Sequence, residues 1–318
     1  MTHKYTRIMN VTDYCLKVAT LFLAAGLLCG CGDGKRAGGK GAEVPEITVS
    51  IPPLAYFASA IGGDSLSVGI LLDAGADPET FQPGVGAMRD MRRSGLFAST
   101  GVLPFEAALL EKADGGSGLK VIDLSEGVDL MYGTHTHDSD DGHGHQRHDG
   151  HHHDGAEGAP DPHIWSSVKN ARIIAGNLYK GLAERYPDHA GYYKERYDSL
   201  DVALARLDSV ASARLSSGDA FLIWHPSLSY LSRDYGLVQV AVNMENKENS
   251  SQGMRRVLEQ AEKLGASTFI VPSGTNSGAV KAVADQTGLR PVEIDFMSAD
   301  WRGQIDDIIT TLGHGAAD

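Results

Sequence analysis

The chain predicts an α/β fold of two lobes with parallel sheets, joined by one long helix. Three observations carry this. Short apolar runs alternate with helical stretches from residue 47 to the C-terminus. The rhythm occurs twice. The longest helical period in the chain separates the two occurrences.

In the first half, Ile47 to Ile51 (I-T-V-S-I) reads as a strand. Leu54 to Ile61 reads as a helix stopped by Gly62-Gly63. Ser67 to Leu72 is a second strand, Met88 to Ser94 a helix and Leu96 to Thr100 a third strand. Phe105 to Lys112 follows as a helix and Lys120 to Leu124 as a fourth strand. A further helix covers Ser167 to Glu184, and Tyr186-Pro187 interrupts it. Asp188 to Ser217 is the long period. Tyr193, Tyr197, Leu200, Leu204, Leu207 and Ala211 recur at helical spacing and make one apolar stripe, a reach of about 45 Å. A coiled-coil arm would show the same stripe, but α/β segments on both sides favour an interlobe spine. The second half repeats the pattern. Strands are expected at Phe221 to Trp224, Val238 to Val242, Thr268 to Val271 and Pro291 to Ile294. Helices are expected at Leu228 to Tyr235, Met254 to Leu264, Ala279 to Thr287 and Trp301 to Leu312.

The N-terminus reads as a lipoprotein signal. Lys4, Arg7 and Lys17 precede an apolar run from Val18 to Leu28, too short to span a bilayer. Leu28 to Cys31 (L-C-G-C) fits a lipobox, which makes Cys31 the acylated residue. Cleavage there would remove Cys15 and Cys29, leaving no pair for an intramolecular disulfide. The expected organisation is a signal at 1–31, a Gly/Lys/Ala-rich tether at 32–45 and a first lobe at 46–185. The interlobe helix takes 186–217 and a second lobe 218–314. A net charge of −13 with no basic patch argues against nucleic acid. Nothing in the pattern calls for an oligomer, so a monomer is expected.

The most distinctive local feature lies at residues 134–154, T-H-T-H-D-S-D-D-G-H-G-H-Q-R-H-D-G-H-H-H-D. It holds eight of the chain's 13 histidines: His135, His137, His143, His145, His148, His151, His152 and His153. A Gly/Asp/His tract cannot form a core, and neutral imidazole suits borderline-soft metals. The tract therefore reads as an auxiliary metal-collecting loop, zinc first. Its internal, irregular and acid-mixed character sets it apart from an expression tag.

Four further candidates fall at strand ends or in the loops after them. They are Glu79 (D-P-E-T-F-Q-P), His163 (D-P-H-I-W), His225 (L-I-W-H-P) and Asp295 (V-E-I-D-F). Open α/β sheets bind ligands beyond the carboxyl ends of their strands. Two imidazoles and two carboxylates make a complete four-coordinate set. Each residue also has an ordinary reading: a satisfied histidine, a turn former at Asp295, a helix-start acid at Glu79.

Taken together these segments resemble the zinc/manganese-binding solute-binding proteins of bacterial ABC transporters, the ZnuA/TroA type. The resemblance runs from about Ile47 to the C-terminus. It rests on I-P-P-L-A-Y-F, I-G-G-D, G-A-D-P-E-T-F-Q-P, D-P-H-I-W, W-H-P-S-L-S-Y-L-S-R-D-Y-G-L and E-I-D, with a His-rich loop ahead of D-P-H-I-W. It implies two lobes on a rigid connecting helix and a metal between them, with His163, His225 and Asp295 on the second, third and fourth ligand positions. It also implies delivery to an ABC permease from a membrane-anchored, extracytoplasmic position in the periplasm or at the cell surface. The family's first ligand is a histidine in D-P-H-T-F/Y-E-P, and Glu79 stands there in this chain. A set of two His, one Glu and one Asp suits Mn²⁺ or Fe²⁺ as well as Zn²⁺. The rival readings are a metal-sequestering surface adhesin or buffer, and a metallohydrolase. No H-E-x-x-H, nucleophile elbow or phosphate loop supports the latter.

Overall fold

The computed structural model describes residues 46–113, 118–132, 158–242, 251–275 and 278–313. The signal, Cys31, the tether and the whole His-rich tract with its eight histidines lie outside the described residues. Among the described residues no helix is long and apolar enough to cross a membrane.

Two four-stranded parallel sheets form the lobes. In the first, β1 (Ile47–Val49), β2 (Val68–Ile70), β3 (Leu96–Ser99) and β4 (Lys120–Asp123) lie in the order β2-β1-β3-β4. In the second, β5 (Ala220–Ile223), β6 (Val238–Ala241), β7 (Phe269–Pro272) and β8 (Pro291–Ile294) lie in the equivalent order β6-β5-β7-β8. Every pairing is parallel, with register such as Ile47↔Val68 and Phe97↔Val121 in one sheet and Leu222↔Val240 in the other. The central strands β1, β3 and β5 are buried along their whole length. That is why they read as unbroken apolar runs and not as alternating patterns.

In the first lobe the connecting helices are α1 (Pro52–Gly62), α2 (Val85–Ser94) and α3 (Pro104–Ala113). Pro52 and Pro53 open α1, where a missing N–H costs nothing. Helices α4 (Val168–Arg185) and α5 (Ala190–Arg214) follow as an antiparallel hairpin, and the second lobe carries α6 (Ser229–Tyr235), α7 (Ser251–Lys263), α8 (Gly278–Thr287) and α9 (Trp301–Leu312).

Helix α5 has 25 residues, fewer than the 30 the periodicity suggests, and spans about 37 Å. Pro187 to His189 forms a separate 3-10 turn, because Pro187 fixes its own φ and starts a new helical segment. At the other end Leu215 turns extended and buries its side chain, so the helix stops at Arg214. The apolar stripe holds: Tyr193, Leu200, Leu204, Leu207 and Ala211 are buried, and Tyr197 stacks on Tyr179 of α4 at 4.9 Å.

Helix α5 serves both lobes. Near its start Arg196 donates to the carbonyl of Ala60 at the end of α1. Further on, Asp208 accepts from the Tyr235 hydroxyl in the second lobe at 2.7 Å. One hydrophobic core runs without a break from Val49 and Phe57 through Leu204 to Phe221, Ile305 and Ile309. At the boundary, the fully buried Trp301 packs on Phe57, with centroids 4.9 Å apart, and donates its indole N–H to the carbonyl of Trp165 at 2.7 Å. Ser167, the N-cap of α4, also donates its hydroxyl to the Asp234 carboxylate.

Two glycines of α4 test this packing with opposite signs. A Cβ at Gly176 would meet only the Tyr197 hydroxyl at 3.5 Å, an ordinary contact. A Cβ at Gly181 would lie 2.4 Å from Cδ1 and 2.6 Å from Cγ1 of Ile122 on β4. Gly176→Ala should therefore stabilise the protein by about 0.5–1 kcal/mol through helix propensity. Gly181→Ala should destabilise it by about 1–3 kcal/mol through overpacking. Urea denaturation with unchanged m-value distinguishes the two.

Candidate metal centre

Each candidate residue sits on backbone that the local sequence fixes. After β2 the pairing with β1 continues to Leu72, whose N–H donates to Ser50 O. The chain then turns at Gly75, at φ +76°, a conformation that costs an L side chain energy. Asp77 organises the next residues: its carboxylate accepts from the Glu79 amide at 3.0 Å and from the Thr80 hydroxyl. Phe81 then anchors the loop by an edge-on contact with Phe105, 5.2 Å between centroids. Glu79 lies between these fastenings, its side chain 6% exposed.

His163 precedes a 3-10 turn, Ile164–Ser166, whose residues are all buried. Asp161 Oδ1 accepts from both the His163 amide and its ring Nδ1, each at 2.9 Å. Nε2 is thereby directed into the cleft. His225 lies two residues beyond the end of β5, and Gln239 braces the loop behind it by accepting from the Leu228 amide.

These three residues converge. Glu79 Oε1 lies 3.2 Å from His225 Nε2 and 3.6 Å from His163 Nε2. One ligand atom from each residue falls within 4.8 Å of the others. The imidazole centroids are 5.2 Å apart at 66°. A tetrahedral cation with bonds near 2.0–2.1 Å separates its donors by about 3.4 Å, so the spacing suits a single ion. Burial pushes the His163 imidazole below its ordinary value and outweighs the Asp161 hydrogen bond and charge, which act upward. The neutral, ligating form is thus favoured.

Asp295 lines the same cavity but is exposed, and its Oδ1 accepts from the Met297 amide at 3.0 Å. It does not join the group of three. The cavity, about 870 Å³, is bordered by the loops after β1, β2, β5, β7 and β8, at Pro52, Asp77, Trp224, Ser273 and Phe296 among others. All five lie beyond carboxyl ends of strands, and those after β1, β5 and β7 flank the points where the strand order of each sheet reverses.

Two residues escaped the sequence reading. Asp161 holds His163, and the D-x-H spacing was the signal for it. Tyr230, fully buried, donates to Asp161 O at 2.8 Å from the other lobe. Nothing local marks it, because its partner is 69 residues away.

Comparison with known proteins agrees with this architecture. The zinc-binding lipoprotein AdcA of Streptococcus pneumoniae (strain R6) is 25% identical over 279 residues, 84% of this chain and 52% of that protein. The chain thus spans about half the length of the AdcA proteins it matches. The manganese ABC transporter substrate-binding lipoprotein PsaA of Streptococcus mitis is 21% identical over 285 residues, 85% of each chain. A crystal structure of ZnuA superposes with TM-score 0.70 at 26% identity, covering 83% of this chain and 95% of that one. FpvC of Pseudomonas aeruginosa in complex with Mn²⁺ shares the fold at TM-score 0.68 and 19% identity, covering 84% and 96%. The family model for the zinc-uptake complex component A, periplasmic (ZnuA), matches residues 47–315, and the chain belongs to that family.

Proposed function

We propose that this chain is an extracytoplasmic, lipid-anchored solute-binding protein that captures Zn²⁺ between its lobes and hands it to an ABC permease. The observation that carries the reading is the convergence of Glu79, His163 and His225 on one point of the cleft. Two imidazoles and a carboxylate form a borderline donor set that takes zinc readily. Asp295, on the cavity wall, is the fourth donor once its carboxylate swings inward. Membership of the zinc-uptake family and the zinc named for AdcA support the metal. The tract at 134–154 adds weaker auxiliary sites, and Cys31 carries the lipid. The protein acts as a monomeric carrier and not as an enzyme.

A second reading, a Mn²⁺ or Fe²⁺ carrier, rests on one observation. Glu79 puts a carboxylate oxygen 3.2 Å from one Nε2 atom and 3.6 Å from the other. Oxygen donors suit the harder ions, and PsaA is named for manganese.

Competitive titration of the full chain and its Glu79→Ala variant, with bound metal counted by elemental analysis, decides between them. One tight Zn²⁺ is expected, weakened roughly tenfold or more in the variant. Tighter binding of Mn²⁺ than Zn²⁺ would establish the second reading. Deleting residues 134–154 should lower the number of bound zinc ions while leaving one tight site. Loss of all tight binding would move the principal site out of the cleft.

Acid should act in two ways. Ligands bind metal only when deprotonated, so Zn²⁺ affinity should fall below about pH 6 and binding should release protons, read by calorimetry in buffers of different ionisation enthalpy. In the metal-free protein His163 is held below its ordinary value of 6.5. Its share of stability is therefore complete above that value and is lost as pH falls from there through the lower folded-state value. Thermal denaturation between pH 8 and 5 should show this slope, reduced in His163→Gln.

A further inference from the structure

His163 is the most enclosed of the three donors, with 3% of its surface exposed. An imidazole offers a metal one nitrogen only if the other carries the proton. Which nitrogen faces the cleft therefore depends on what holds the far side of the ring. Here that partner is Asp161, itself fully buried. Its Oδ1 already accepts the His163 amide, so it meets the ring as an acceptor and demands a proton on Nδ1.

Asp161 is itself held on its backbone side. Its amide donates to Met131 O at 2.8 Å, and its carbonyl accepts from the Tyr230 hydroxyl at 2.8 Å. The same hydroxyl accepts from the Met131 amide at 3.2 Å. Tyr230 stands on α6, five residues after His225, and Arg233 covers its ring at 5.2 Å. One phenol thus joins the second lobe, at the element that follows His225, to the residue that orients His163.

We propose that Asp161, pinned by Tyr230, is a positioning residue for metal capture that selects Nε2 of His163 as the donor. The proposal rests on the reading of His163 as a metal ligand. The link from α6 through Tyr230 and Asp161 sets the distance between donors of the two lobes before metal arrives. Such outer partners of ligating histidines change metal affinity about 10–100-fold when removed.

The test uses the full chain labelled with ¹⁵N-histidine. Long-range ¹H–¹⁵N spectra of metal-free protein at pH 8 report which ring nitrogen carries the proton, and His163→Gln identifies the His163 signal. The expected result is an Nδ1–H tautomer, shifted towards Nε2–H in Asp161→Ala. Zn²⁺ affinity should fall about 10–100-fold in Asp161→Ala. It should recover most of that loss in Asp161→Asn, whose amide oxygen still accepts from Nδ1–H. Tyr230→Phe keeps the ring in the core and should weaken Zn²⁺ binding in the same direction, which keeps the test decisive should Asp161→Ala fail to fold. A destabilised fold alone would leave the tautomer unchanged and would show no rescue by asparagine. An Nε2–H tautomer in the wild type, or Asp161→Ala and Tyr230→Phe variants that bind Zn²⁺ like the wild type, would overturn the proposal. A wild type with the Nδ1–H tautomer that binds no Zn²⁺ would overturn the carrier reading and, with it, the role assigned to Asp161.

Discussion

Polar side chains carried by two different sheets meet within a few ångströms, and that constraint governs the molecule. Glu79 rides on a loop after β2, and His225 on a loop after β5, yet Oε1 and Nε2 stand 3.2 Å apart. An error of one ångström between lobes would spoil the spacing for an ion whose bonds are near 2 Å. The lobes are therefore fixed by more than a hinge. A single core passes through both, α5 packs along it, and Trp301 and Tyr230 tie the boundary with buried hydrogen bonds. Buried bonds of this kind are costly to leave unmade, so they define one relative position of the lobes.

The two sheets reach the cleft by the same geometry. Each has its first strand inside and its second at the edge, and the chain then crosses to the other side for the third and fourth. The crossover leaves a crevice beside the first strand, where side chains after the carboxyl ends can gather without obstruction from helices. Placing two such crevices face to face encloses a cavity built mainly from loops. Loops tolerate residue exchange more readily than strands do. Glu79 stands in a loop held by Asp77, Gly75 and Phe81, and none of those fastenings depends on the identity of residue 79.

Residue 79 sets the chemistry of the cluster more than its shape. A carboxylate there places an oxygen beside the buried His163 ring and the partly exposed His225 ring. Oxygen is a harder donor than imidazole nitrogen, and a carboxylate anion attracts a cation before any bond forms. His163 meets the cluster already neutral, because desolvation opposes its protonation. The cluster thus sets a carboxylate beside an imidazole held by Asp161, and the net −13 charge of the chain favours cation approach as a weaker, screened background.

The sequence by itself determined the alternation of strands and helices, the long spine, and the segments from which candidate donors come. Buried parallel strands must be continuous apolar runs, and a spine must show a stripe of helical period, so both are written locally. The ends of α5 were less legible: the expected span was Asp188 to Ser217, whereas the helix begins after the separate Pro187 turn and stops where Leu215 turns into the core. Tertiary structure alone decided that Glu79, His163 and His225 meet while Asp295 stays on the exposed cavity wall. It alone brought Tyr230 to the carbonyl of Asp161. Those contacts join residues tens of positions apart, and no periodicity or short motif encodes a distance between two sheets. It is set by how the whole core packs.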